Sequence, residues 1–303
     1  MSALVSTVSS FVERTLYRGR EGYLLYLGHR LAGLGTLAFL AVHILDTSTV
    51  YFFPSLYPHA IDIYRSTPFM LSEILLVVAV IYHGVNGLRI ILHDSFPRLW
   101  QKEPERVSFW KVAVLAALLS APAVFFMGRS LYWNNLCRCP PETEIDPVAL
   151  ANFSLISIPL ILVVIVGVFA VGASIGGPAA GAARAVAVPR KTLDTWSWVF
   201  MRWSGALLIP LAWGHVLLQD VLVGVHAIDI DFVALRWATL GWRVYDIALL
   251  GFAFAHGMNG LRGIVNDYIL HRGWNQALKW LLLLGWAVIT AIGAVAIVGG
   301  VRQ

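Results

Sequence analysis

The stretch Tyr82-His83-Gly84-Val85-Asn86-Gly87-Leu88-Arg89, with Asp94 following, is written into this chain twice. It returns 173 positions later as Ala255-His256-Gly257-Met258-Asn259-Gly260-Leu261-Arg262, with Asp267 at the same spacing. Upstream, Arg30, Gly33 and His43 recur as Arg202, Gly205 and His215, each displaced by 172. A long-period internal repeat marks a duplicated structural unit. This one keeps a histidine, a glycine one turn later and an arginine inside apolar runs, so chemistry as well as packing is duplicated. The pattern points to a cofactor held between two halves.

Composition sets the solvent. Hydrophobic residues make up 58% of the 303 and charged residues only 13%, which places the chain among polytopic membrane proteins. Apolar runs at about 24–50, 69–92, 109–129, 149–174, 196–222, 243–265 and 277–300 are each long enough to cross a hydrocarbon core of ~30 Å. The expected fold is therefore all-α, a transmembrane bundle of about seven helices. Of the 22 Lys and Arg residues, 16 fall on the side of the N-terminus; only Arg65, Arg129, Arg138, Arg236, Arg243 and Arg302 fall on the other. The positive-inside rule then predicts a cytoplasmic N-terminus and an external C-terminus. The net charge of +5 reflects this orientation and gives no reason to invoke nucleic acid.

The first 22 residues carry Arg14, Arg18 and Arg20 without an apolar core and cleavage site, so no signal peptide is expected and the first span should be retained. Cys137 and Cys139 are the chain's two cysteines. One intervening residue makes a disulfide between them awkward, and two thiols cannot complete a four-cysteine iron–sulfur site, so they read as incidental thiols of an outer loop.

Each half holds a helix with Arg and His 13 residues apart, a helix with the His-x-x-x-Gly-x-Arg motif, and a third helix without a polar landmark. Three crossings leave the chain outside, whereas a parallel second copy must begin inside. The run from Ala149 to Ser174 supplies the missing crossing, and Gly176 to Lys191 reads as a cytoplasmic linker. The expected organisation is a first repeat over 1–148, a bridging helix and linker over 149–194, and a second repeat over 195–303.

An ionisable residue inside a membrane span is a functional candidate, because placing it there is costly. A lone histidine could simply bond to a neighbouring helix; four in a repeat are better read as ligands. His83 and His256 each lie 11 residues before an aspartate, about 16 Å along a helix, and so share one depth. His43 and His215 each lie 13 residues past an arginine, about 20 Å along an outward-running helix, and share another. Two bis-histidine irons, His83 with His256 and His43 with His215, would leave no open coordination position, so such haems would move electrons without binding oxygen. Gly87 and Gly260 lie over their histidines on the same helix face and leave room for something flat. Close helix packing is the plainer account of those glycines. Arg89 and Arg262 can offer forked donors to carboxylates such as haem propionates, or snorkel to headgroups. His29 is matched by Met201 and His93 by Asn266. Neither has a symmetric partner, so both are set aside as ligands and His29 is read as interfacial.

The run Gly28-His29-Arg30-Leu31-Ala32-Gly33, followed by Tyr82-His83 through Gly87-Leu88-Arg89 and Asp94, resembles the larger cytochrome b anchor subunit of succinate:quinone oxidoreductase, complex II. Ala255-His256 through Asn266-Asp267-Tyr268 resembles the smaller anchor subunit. The chain looks like the two fused, apart from the bridging helix. The resemblance implies two haem b groups and a quinone pocket at the cytoplasmic surface built from residues matching Arg30, Asp267 and Tyr268. Tyr26 stands where well-known ubiquinone-reducing members carry serine, and two-haem relatives often work with menaquinone, which becomes the expected quinone. The implied partners are a flavoprotein and an iron–sulfur subunit docked on the cytoplasmic face, alongside membrane lipid and quinone. Assembly into a higher oligomer stays open. The expected location is the bacterial inner (plasma) membrane.

No residue here is expected to oxidise a dicarboxylate, and Gly33-Leu34-Gly35 inside a membrane helix is a poor dinucleotide motif. Two other readings are a cytochrome b subunit of another quinone-linked oxidoreductase and a parallel-repeat transporter without haem. Asp46 and Glu73, near the outer ends of the first two spans, read as interfacial carboxylates, although a second quinone site could be built there.

Overall fold

The computed structural model describes residues 20–96, 104–137 and 192–302. These form eight α-helices and no strand: α1 (Glu21–Phe52), α2 (Tyr57–Tyr64), α3 (Thr67–Ser95), α4 (Glu105–Leu131), α5 (Leu193–Val216), α6 (Ile230–Ala238), α7 (Leu240–Tyr268) and α8 (Arg272–Gly299). Helices α4 and α5 run on into π turns, Tyr132–Leu136 and Leu217–Val223. In lipid every backbone N–H and C=O must be paired within its own segment, which is why long apolar runs resolve as helices. Local signals set the ends. Pro68 sits in the first turn of α3, where its missing N–H costs nothing. The Asp229 carboxylate accepts from Phe232 N at 2.8 Å and starts α6.

The repeat is structural as well as sequential. Helices α3 and α7 both have 29 residues, and both ends differ by the same 173 positions. The short helices α2 and α6 also begin 173 apart. These two were not expected from the sequence, where the stretches between apolar runs carry no span-length signal. Six of the seven expected spans coincide with α1, α3, α4, α5, α7 and α8. The seventh, 149–174, and the linker that follows it lie outside the described residues, as do Arg14, Arg18, Arg98, Lys102, Arg138, Arg184, Arg190, Lys191 and Cys139.

Helices α1, α3, α5 and α7 make a central four-helix group in which the halves interlock: α1 packs on α7 and α3 on α5. Helix α4 lies outside α3, and α8 outside α7 and α1. One buried cluster joins Leu37 and Ile44 of α1, Leu207 and Leu211 of α5, and Leu250 and Phe254 of α7; another joins α1, α3 and α4 through Leu25, Val77, Ile81 and Val112. Outward-facing Leu31, Leu75, Leu118 and Leu284 are 60–70% exposed, the reverse of an aqueous surface. Five helices are long and apolar enough to cross a membrane: α1, α3, α4 and α5 with their π turns, and α8. Helix α7 is equally long but more polar, with Asp246, His256 and Asn259 turned to protein partners. The chain is a multi-pass membrane protein.

Side-chain contacts gather the basic residues at two ends. At one end Arg30 pairs with Asp267, Arg202 with Asp94 and Arg262 with Asp194. At the other, Arg65 donates to the carbonyl of Ile228 at 2.9 Å, Asn135 donates to the carbonyl of Arg65 at 2.8 Å, and Arg243 donates to the carbonyl of Val298 at 3.1 Å. The starts of α1 and α5 therefore share an end with the finishes of α3 and α7, the relation of a parallel duplication. Helix α4 finishes at the opposite end from the start of α5.

Candidate functional site: two histidine pairs and an arginine clamp

The interlocked helices bring the four repeated histidines together in two pairs. The rings of His83 (α3) and His256 (α7) lie with centroids 6.2 Å apart, and those of His43 (α1) and His215 (α5) 6.1 Å apart. Two imidazole nitrogens each about 2 Å from one metal ion, with about 1 Å more from each nitrogen to its ring centre, span about 6 Å. Both spacings would suit a metal ion held between the paired rings. Among the described residues no three His, Cys, Asp or Glu side chains are grouped to hold a bare ion. Paired histidines alone suit a metal whose remaining ligands come from its own macrocycle.

The repeated Gly33 and Gly205 now have a physical reason. A Cβ on Gly33 would come within 2.8 Å of His83 Cε1, and one on Gly205 within 3.4 Å of His256 Cε1. Each glycine of the first helix in a half makes room for the histidine of the second. Hydrogen bonds then orient the rings. His83 Nδ1 donates to the carbonyl oxygen of His29 at 3.0 Å. Ser204 Oγ donates to the carbonyl of Phe200 at 2.6 Å, so its oxygen accepts from His256 Nδ1 at 2.7 Å. In both rings Nε2 keeps its lone pair, the arrangement of a metal-ligating histidine with its supporting acceptor. The His43–His215 pair is held differently. His43 stacks on Phe39 with centroids 5.4 Å apart and meets Tyr64 edge-on, while His215 Nδ1 is buried without a hydrogen-bond partner.

Reading His29 as interfacial is corrected by its packing. Its ring lies flat on His83, with centroids 3.9 Å apart and planes 7° from parallel, because α1 crosses α3 at this level. His93 is buried, at 5% exposure. The space over Gly87 faces His29, and that over Gly260 faces Met201. Arg89 donates to Ser108 of α4 at 2.8 Å. Arg262 donates to Asn259 and pairs with Asp194 at 2.9 Å.

At the same end as the His83–His256 pair, four further candidates converge. Arg30 is ion-paired with Asp267, lies 4.4 Å over the Tyr26 ring and is 5.9 Å from the ring of Tyr268. Its Nη1 is buried without a hydrogen-bond partner, while Tyr26 is 44% exposed. The group thus has a spare cationic donor and an open side. The repeat supplies a second clamp: Arg202 pairs with Asp94 at 2.7 Å and lies 4.4 Å over Trp198, the residue matching Tyr26.

The opposite end corrects two expectations. Asp46 accepts from the Tyr64 hydroxyl at 3.0 Å, and burial together with this carboxylate raises the phenol's pKa far above its ordinary value, so it stays a donor. Glu73 is not interfacial: it is 9% exposed and lines a small cavity with Met70, Met127, Ser130 and Asp220, because the π turn after α5 folds Asp220 against α3 and α4. Cys137 is disulfide-bonded, so it is no incidental thiol. The sequence reading missed Ser204, Asp220 and the buried Arg236–Asp246 pair. Asp246 had a signal, since it sits 173 positions after Glu73.

Comparison with known proteins agrees with this architecture. The profile of the succinate dehydrogenase/fumarate reductase transmembrane subunits matches twice, over residues 11–123 and 181–297. The gap between the matches contains the expected bridging helix. The "Succinate dehydrogenase 2 membrane subunit SdhC" of Mycobacterium tuberculosis (strain ATCC 25618 / H37Rv) is 35% identical over 121 residues, covering 39% of this chain and 86% of that protein. With both halves matched and each half holding the same helices and histidines, the chain belongs to the succinate dehydrogenase/fumarate reductase transmembrane-subunit family, in a fusion-like arrangement of two family segments.

Proposed function

We propose that the chain is the dihaem cytochrome b anchor of a succinate:quinone oxidoreductase, passing electrons between an iron–sulfur partner and membrane quinone. The observation that carries this reading is the meeting of four repeated histidines in two pairs, 6.2 and 6.1 Å apart. His83 with His256 and His43 with His215 would each hold one haem b, with Gly87 and Gly260 leaving space at its face and Arg89 and Arg262 available to its carboxylates. When bound, the haems supply one-electron relays.

The quinone site is proposed at Arg30, Asp267, Tyr268 and Tyr26. Asp267 holds Arg30 charged and oriented, and the spare Nη1 donates to one quinone oxygen. The Tyr268 hydroxyl donates to another. Two electrons and two protons convert quinone to quinol, and the open side at Tyr26 admits water as the proton source. Menaquinone is the proposed species. A flavoprotein and an iron–sulfur subunit would dock at this end, where Arg106 and Arg272 lie. The proposed location is a bacterial inner membrane with the N-terminus cytoplasmic; a disulfide at Cys137, beyond the other end, supports this, since disulfides persist in oxidising compartments. The proposed organisation keeps the repeats at 1–148 and 195–303, with 149–194 crossing between them.

Haem counting on single-histidine variants tests the assignment. His83→Ala and His256→Ala should remove the same haem, and His43→Ala and His215→Ala the other. A parent protein with one haem per chain, or losses that cross the pairs, would overturn it. For the quinone site, Tyr268→Phe should depress succinate-driven quinone reduction at least tenfold while haem content stays at the parent level. Unchanged turnover would remove Tyr268 from the site.

A further inference from the structure

Beyond the His43–His215 pair lies a buried cluster whose arginine has no counterpart in the first half. Arg236 of α6 is 3% exposed. Its Nε donates to Asp246 of α7 at 2.8 Å, its Nη2 donates to the other oxygen of the same carboxylate, and Trp237 Nε1 donates to Asp246 at 2.9 Å. The guanidinium lies 3.9 Å over the ring of Trp242 and 5.9 Å from that of Tyr245. The first-half residue matching Arg236 is Ile63, so the repeat alone does not account for it.

Two features say that this cluster is built around something. Asp246 satisfies two of the guanidinium nitrogens, yet Nη1 is buried and has no hydrogen-bond partner. A buried donor left unpaired is destabilising, and a charged one more so, so an acceptor belongs there. The cluster also reaches the outer histidines. Tyr245 donates to the carbonyl of Leu211, one turn before His215, and its hydroxyl lies 3.0 Å from where a Cβ on Gly214 would stand. His215 Nδ1 is itself buried without a partner.

Resting on the two-haem reading above, we infer that Arg236 donates through Nη1 to a carboxylate side chain of the outer haem, with Asp246, Trp237 and Trp242 fixing the guanidinium for that purpose. Enclosure favours a resident group over a mobile one. At the inner end the corresponding Arg30 sits beside Tyr26, which is 44% exposed, so a quinone can come and go there. Arg236 is walled in by Phe232, Trp237, Trp242 and Tyr245, each no more than 4% exposed, so its ligand must be built in when the helices assemble.

The test uses the whole purified complex. Arg236→Met alone would leave Asp246 buried and unpaired, so it is combined with Asp246→Asn, which removes both charges and keeps an acceptor for Trp237. Haem per chain is counted as the pyridine haemochrome, and both midpoint potentials are measured by redox titration. The expected result is an outer haem reduced to less than half occupancy, or retained with a shifted potential, while the inner haem stays at one per chain and marks the fold as intact. Two haems at full occupancy and unchanged potential in the double variant would overturn this inference and leave the two-haem reading standing. Loss of quinone turnover with both haems unaltered would assign the donor to a quinone and equally overturn it. A parent protein with one haem would remove the two-haem reading and this inference with it.

Discussion

Alanine at Gly33 and at Gly205 should have unequal consequences, although the repeat treats the two positions alike. Optimal carbon–carbon contact is about 3.5–4 Å. The Gly33 Cβ would stand 2.8 Å from His83 Cε1, well inside that distance, whereas the Gly205 Cβ would stand 3.4 Å from His256 Cε1, near its edge. The His83 ring cannot swing aside freely. It is tied by its Nδ1 to the His29 carbonyl at 3.0 Å and backed by the His29 ring at 3.9 Å. Overpacking a tight site costs about 1–3 kcal/mol, and losing one hydrogen bond about 0.5–1.5 kcal/mol more. Gly33→Ala should therefore weaken haem retention at the His83–His256 pair by about 2–4 kcal/mol, roughly 30- to 1000-fold. At Gly205 the residual crowding is offset by the helix propensity of alanine, worth about 1 kcal/mol over glycine. That variant should keep both haems. The assay is haem per chain after detergent purification, with a reduced-minus-oxidised spectrum to show which haem is lost. Equal losses in both variants, or full haem content in Gly33→Ala, would refute the packing logic.

Two further outcomes follow from the same coordinates. The facing rings are inclined at 84° for His83 with His256 and at 79° for His43 with His215, so each proposed haem, when oxidised, should give a strongly anisotropic low-spin electron paramagnetic resonance signal; ordinary rhombic spectra would show that the rings turn parallel on loading. Asp94→Asn weakens a half-buried, charge-assisted contact between α3 and α5, and should lower stability by about 1–3 kcal/mol, read as haem release at a lower temperature without a change in haem count at rest.

Six of the expected spans, the repeat of helices and the residues that meet in pairs were legible because they are one-dimensional signals: apolar run length, a fixed offset of 172 or 173, and counted distance along a helix. What stayed hidden depends on how elements cross. Ser204 matches Ala32 in the first half, so the repeat gives no hint that it supports His256. His29 was set aside because Met201 breaks the symmetry, yet its carbonyl and ring position His83. A symmetric pattern identifies what both halves share and is blind to how each half individually supports it. The short helices α2 and α6 escaped for another reason. Eight and nine residues are too few to register as a span, and their amphipathic pattern becomes meaningful only once they cap the end of the bundle opposite the arginine clamps.

The two arginine clamps show how a duplicated device can diverge. Their cores coincide: an arginine on the first helix of one half, an aspartate on the second helix of the other, and an aromatic ring 4.4 Å beneath the guanidinium. They differ in what is left over. Arg202 places both Nε and Nη2 on one oxygen of Asp94, and the next residue, Ser95, donates its hydroxyl back to the carbonyl of Ile91 at 2.7 Å. That clamp is closed on itself and acts as a fastener between α3 and α5. Arg30 contacts Asp267 through Nη2 alone and keeps Nη1 unpartnered, and the residue matching Ser95 is Tyr268, whose phenol cannot fold back onto its own helix as serine does. The two clamps therefore differ by one serine-to-tyrosine exchange and by the guanidinium nitrogen that the Arg30 clamp leaves unpartnered. The two donors proposed for a quinone, Arg30 and Tyr268, thus both belong to the Arg30 clamp, while Arg202 holds the halves together.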